Sequence, residues 1–99
     1  MKVQGGLEGQ MMEYKPGNLA KSLAGRDAGR LYLILEEAGE YVALVDGKTR
    51  EVSRPKRKKK KHVQLQYPKN QKIVLKLKQG EALTDEEIRS FLKEEGFLN

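Results

Sequence analysis

The chain contains no cysteine, no tryptophan and a single histidine. The lack of cysteine excludes a disulfide scaffold, a thiolate zinc site and a cysteine nucleophile together, and it suits the reducing, cytoplasmic compartment we expect for this protein. His62 on its own lacks the partners a zinc ion needs, so neither a metal nor a cofactor is expected. Long apolar runs are missing too. No run is longer than Leu31 to Leu35, far short of the roughly 20 residues that span a bilayer. The glycine-rich stretch Met1 to Gln10 lacks the apolar core of a signal peptide, so export is not expected. Ser22, Ser53 and Ser90 have no base placed to activate them, and no acid, base and nucleophile gather in one motif. We therefore expect no enzyme.

What the chain has in abundance is charge. Charged residues make up 34% of its 99 positions and the net charge is +6, against about 25% charged in an average soluble protein. The sign is unevenly distributed: residues 80 to 99 carry −4, so residues 1 to 79 carry +10. A basic body that faces a polyanion, followed by an acidic element, is the simplest interpretation.

Periodicity divides the chain into a leader at 1–16, a β-rich body at 17–68 and a helical extension at 69–99. Asn18 to Ser22 reads as a short strand, followed by the loop Leu23-Ala-Gly-Arg-Asp-Ala-Gly29, where Gly25 and Gly29 supply positive-φ freedom. Arg30 to Glu36 is a strand with large apolar residues on both faces. Tyr41 to Val45 is its partner, with Asp46-Gly47 as a hairpin turn leading into a further strand, Lys48 to Arg54, that Pro55 ends. His62 to Tyr67 alternates strictly and stops at Pro68. Five short strands joined by tight turns predict a mainly β fold, a small SH3-like antiparallel barrel with an appended C-terminal α-helix. Asn70 to Gln79 matches both strand and helix periods, with a short helix favoured. Thr84-Asp-Glu-Glu87 is a capping box that opens a helix over Asp85 to Glu95, with Ile88, Phe91 and Leu92 as its apolar stripe. That stripe packs on the body or docks onto a protein partner.

The dominant feature is Arg54-Pro-Lys-Arg-Lys-Lys-Lys-Lys61-His62, with seven positive charges in eight residues. Placed between two strands, Arg54, Lys56, Arg57, Lys58, Lys59, Lys60 and Lys61 would project from one edge as a phosphate-binding loop, against the alternative of a plain solvated loop. Binding to RNA through such a loop weakens with salt, by a log–log slope of about −0.7 per neutralised single-strand phosphate. A second candidate is the Ser22 to Arg30 loop, where glycines let backbone amides approach a phosphate and Arg26 or Arg30 can fork onto it. Tyr14, Tyr32, Tyr41 and Tyr67 are available to stack on bases, although Tyr32 and Tyr41 lie in apolar strands where core packing competes.

The segment Gly17-Asn-Leu-Ala-Lys-Ser-Leu-Ala-Gly-Arg-Asp-Ala-Gly-Arg-Leu-Tyr-Leu-Ile-Leu-Glu36, with Tyr41-Val-Ala-Leu-Val-Asp-Gly47 and Lys61-His62-Val63, resembles the KOW-motif ribosomal proteins of archaeal and eukaryotic large subunits. The e-type members numbered fourteen are nearest, with those numbered six and twenty-seven as wider relatives, and the similarity covers about residues 16 to 67. The resemblance implies an SH3-like barrel whose loops contact ribosomal RNA of the large subunit. It implies a ribosome-associated, cytoplasmic protein of the translation machinery, monomeric off the ribosome. By motif position its RNA-facing residues are Lys21, Ser22, Gly25, Arg26, Gly29, Arg30, Lys61 and His62. The acidic C-terminal helix and the longer lysine run depart from that family and leave open a stand-alone relative that visits ribosomes. The alternative is an SH3-like protein-interaction or scaffolding module whose basic run meets an acidic partner.

Overall fold

The computed structural model describes residues 13–96, so most of the leader lies outside the described residues. Five strands, β1 (Leu19–Ser22), β2 (Leu31–Ala38), β3 (Tyr41–Val45), β4 (Lys56–Lys59) and β5 (Val63–Gln66), are followed by two helices, α1 (Lys72–Lys78) and α2 (Asp85–Glu94). A single 3₁₀ turn at Lys60–His62 joins β4 to β5. All pairings are antiparallel and the strand order is β4-β3-β2-β1-β5. The mainly β architecture with a C-terminal helix is as expected. The expected barrel is not closed: β4 and β5 are the two edges of one open, five-stranded sheet.

Besides the open sheet, the body departs from the expected strands between Val45 and Val63. No strand forms over Lys48 to Arg54, and the middle of the basic run, Lys56–Lys59, is not a loop but strand β4, paired with β3 from Tyr41↔Lys59 to Leu44↔Lys56. Asp46 causes the difference. Its buried carboxylate accepts from the backbone amides of Lys48, Thr49 and Arg50 at 2.9, 2.9 and 2.8 Å and from the Thr49 hydroxyl at 2.7 Å. Those bonds curl the chain into a compact loop in place of a two-residue hairpin turn. Gly47, at φ +77, then passes under α2 so closely that a Cβ there would lie 2.4 Å from the Asp85 carbonyl oxygen. The Asp85 carboxylate fastens the same loop by accepting from the Val52 amide at 2.8 Å.

Both faces of β2 are buried because the sheet curls around one core and carries helices on the other side. Tyr32 and Ile34 point inward with Ala20, Val42, Leu44 and Val63. Leu31 and Leu33 point outward with Leu19 and Val45, onto Ile73 of α1 and Ile88, Phe91 and Leu92 of α2. Between Ile34↔Leu44 and Glu36↔Ala43 the register shifts by one residue, which places Leu35 in a β-bulge. A bulge bends its strand and tightens the twist, so β2 can serve both ends of the curled sheet.

The ambiguous 70–79 segment is helical over Lys72–Lys78 and ends before Gly80, which takes φ +77. α2 carries the expected capping box, with both the Glu87 amide to Thr84 hydroxyl and the Thr84 amide to Glu87 carboxylate bonds formed. Its stripe packs on the sheet, which answers the choice between the body and a partner. Glu95, also buried, accepts from the amides of Lys69 and Asn70 at 2.8 and 3.1 Å and so ties the end of α2 to the start of α1. Among the described residues no helix is long and apolar enough to cross a membrane.

Candidate nucleic-acid interface

Asp27, in the middle of the Gly25-Arg-Asp-Ala-Gly-Arg30 loop, is 8% exposed and accepts four side-chain hydrogen bonds. Ser22 Oγ and Tyr32 Oη donate at 2.8 Å each from β1 and β2. Lys58 Nζ and Lys56 Nζ arrive from β4 at 2.8 and 2.9 Å, and Lys58 also donates to the Ala24 carbonyl at 2.8 Å. Gly25 and Gly29 take φ +87 and +93, as the loop was expected to require. The loop and the lysine strand, some 30 residues apart in sequence, are thereby stitched into one surface.

Burial alone would raise the Asp27 pKa, but the bonds from Lys58, then Lys56, Ser22 and Tyr32, outweigh it and hold the carboxyl well below the usual carboxylate range. Tyr32 moves the other way. Burial first, then its bond to Asp27 and the negative charge there, push its phenol up to about 12. Asp46 likewise sits below its ordinary value, because its Thr49 and backbone hydrogen bonds overcome the burial that opposes them.

The pleat of β4 sorts the basic run into two sets. Lys56 and Lys58 lie opposite Leu44 and Val42, on the inward face, and their ammonium groups are occupied by Asp27. Arg57 and Lys59 lie opposite Ala43 and Tyr41 on the outward face, with Arg57 Cζ 4.9 Å and Lys59 Nζ 6.0 Å from the Tyr41 ring centre. Lys60 pairs with Glu37 and sits 5.2 Å over the Tyr14 ring. Lys61 is exposed, and among the described residues it makes no ion pair.

Of the remaining expected RNA-facing residues, Ser22 is buried and committed to Asp27. Arg30 donates to the Thr49 hydroxyl at 3.0 Å and lies 3.9 Å from Asp46, which ties it to the 46–50 loop. Arg26 and Arg54 are exposed and Lys21 half-buried, none with an ion pair among the described residues. His62 is half-buried, and its carbonyl accepts from the Leu23 amide at 2.9 Å. The residue that sequence reasoning missed is Asp27. Its signal was a lone acid between Arg26 and Arg30 in a strongly basic body, where a carboxylate has cations to pair with.

Among the described residues no three His, Asp or Glu side chains gather as a metal site. No family model and no curated protein matches the chain.

Proposed function

We propose that this protein binds RNA through the 23–30 loop and the basic run, with Arg26, Lys59, Lys61 and Lys21 gripping phosphates. The observation that carries this reading is the division of the basic run. Asp27 pairs with Lys56 and Lys58, which fix the loop in place, while Arg57, Lys59 and Lys61 are left outside that network. A polyanion relieves the repulsion among these surface cations and releases its condensed counterions. The resemblance of residues 16 to 67 to the KOW-motif ribosomal proteins supports ribosomal RNA of the large subunit as the partner.

Sucrose-gradient sedimentation of a lysate tests this reading. The full chain should migrate with the large subunit and move to the top of the gradient after ribonuclease treatment. The double reversal Arg26→Glu/Lys61→Glu should move it there without ribonuclease. A wild-type chain found only at the top, or a doubly reversed chain still migrating with the subunit, overturns the reading.

A further inference from the structure

On the outward face of the sheet, where β2, β3 and β4 run side by side beyond the reach of the helices, two cross-strand rows lie next to each other. One is Ala38–Tyr41–Lys59 and the other Glu36–Ala43–Arg57. Residues directly opposite in an antiparallel sheet share a face, so all six side chains belong to one surface. The two alanines leave the Tyr41 ring standing above a low floor, and together with Glu36 and Arg57 they border a shallow hollow of about 190 Å³. The Arg57 guanidinium lies over the ring at 4.9 Å, with the Lys59 ammonium at 6.0 Å. Glu36 has no ion-pair partner among the described residues, since the neighbouring Lys60 is taken by Glu37.

We infer that this hollow is a site for one unpaired nucleobase, a deepening of the RNA reading on which it rests. A ring and a planar guanidinium standing over small residues offer a stacking surface, and bases stack on both kinds of plane. A duplex hides those base faces, so the ligand is single-stranded. Lys59 lies beside the ring as the cation for the phosphate of the stacked nucleotide. The carboxylate rules out a plain phosphate site, because Glu36 would repel the phosphate that Arg57 attracts. What a carboxylate accepts is an N–H, and the exocyclic amino group of cytosine is such a donor. Uracil offers only its ring N3–H, flanked by two carbonyl oxygens that Glu36 repels, whereas the cytosine amino group stands at the edge of its ring. The site therefore takes an unpaired, amino-bearing base and discriminates against uracil.

Fluorescence anisotropy with labelled octamers of cytidylate and uridylate tests this on the full chain. The two RNAs carry the same charge and the same ring size, so bulk electrostatics treats them alike. Wild type should bind the cytidylate octamer about tenfold more tightly, the low end for one hydrogen bond to a charged group. Glu36→Gln, whose amide serves either base, should bring that ratio to about one. Tyr41→Val, which keeps a strand-forming residue but removes the ring, should weaken both octamers by about tenfold, and Tyr41→Phe should restore most of that loss. Equal affinity of the wild type for the two octamers, or a Tyr41→Val chain that binds as the wild type does, overturns the base site alone. Failure of the wild type to bind either octamer overturns the RNA reading itself.

Discussion

Asp27→Asn keeps the shape of the side chain and one of the two acceptor oxygens that Ser22 and Tyr32 use, but leaves Lys56 and Lys58 without a counter-charge. Because the Lys58 side chain is only 11% exposed, the variant strands a largely buried ammonium, and removing one member of such a pair costs about 3 kcal/mol. Equilibrium urea unfolding at neutral pH should show that loss, and a midpoint unchanged from wild type would mean that the network does not hold the loop. The pH dependence has a definite sign. Asp27 has a lowered folded pKa, so its stabilisation is present above its ordinary value of 3.8 and is lost as pH falls through the depressed one. Tyr32 is raised from 10.0 to about 12, so its contribution is present below pH 10 and is lost as pH rises through the folded value. The wild type should therefore lose stability at both extremes. Asp27→Asn should flatten the acid limb, except for the share that Asp46 retains. Its role was not legible from the residue alone, since the two lysines that pair with Asp27 lie about 30 positions away.

At the scale of elements, legibility followed the apolar pattern. β2, β3 and β5 announce themselves by large apolar residues or strict alternation, and α2 by its capping box and stripe. β4 carries a cation at every position, so the alternation that defines it is written in the surroundings of Lys56 and Lys58, not in residue type. An edge strand of lysines also discourages another chain from pairing with its open backbone, a structural use of the same charges. The loop that displaced the expected strand depends on α2. Gly47→Ala would place a methyl against the Asp85 carbonyl at a positive φ, at a cost of about 3 kcal/mol. In a domain of this size that lowers Tm by roughly 10 °C or more. A shift within 2 °C by differential scanning calorimetry would show that the loop does not need its seat beneath the helix.

On the scale of the whole molecule, the sheet and the two helices share one core cluster. The outward residues Leu19, Leu31, Leu33 and Val45 have the two helices as their cover, so a chain cut after Pro68 should expose a contiguous apolar face. Exposed faces of that kind drive association. Such a fragment should bind a hydrophobic dye strongly and sediment as aggregates, whereas a monodisperse, dye-silent fragment would show that the sheet stands alone. The apolar density on both faces of β2 was visible in the sequence, but barrel closure accounted for it equally well, and only the packed helices separate the two. The acidity of the C-terminal part has a similar origin, because Asp85, Glu87 and Glu95 are all engaged in fastening it down.

The strand order also sets a timetable. β2, β3 and β4 follow one another along the chain and pair as neighbours, so they can zip locally, while β1 sits between β2 and the late-arriving β5. Pairing β1 with β5 closes nearly the whole sheet into one loop, whose entropy must be met before the contact rewards it. During synthesis the β2–β3–β4 meander, with its cation-studded edge, can therefore form while the residues that complete the sheet have yet to be made.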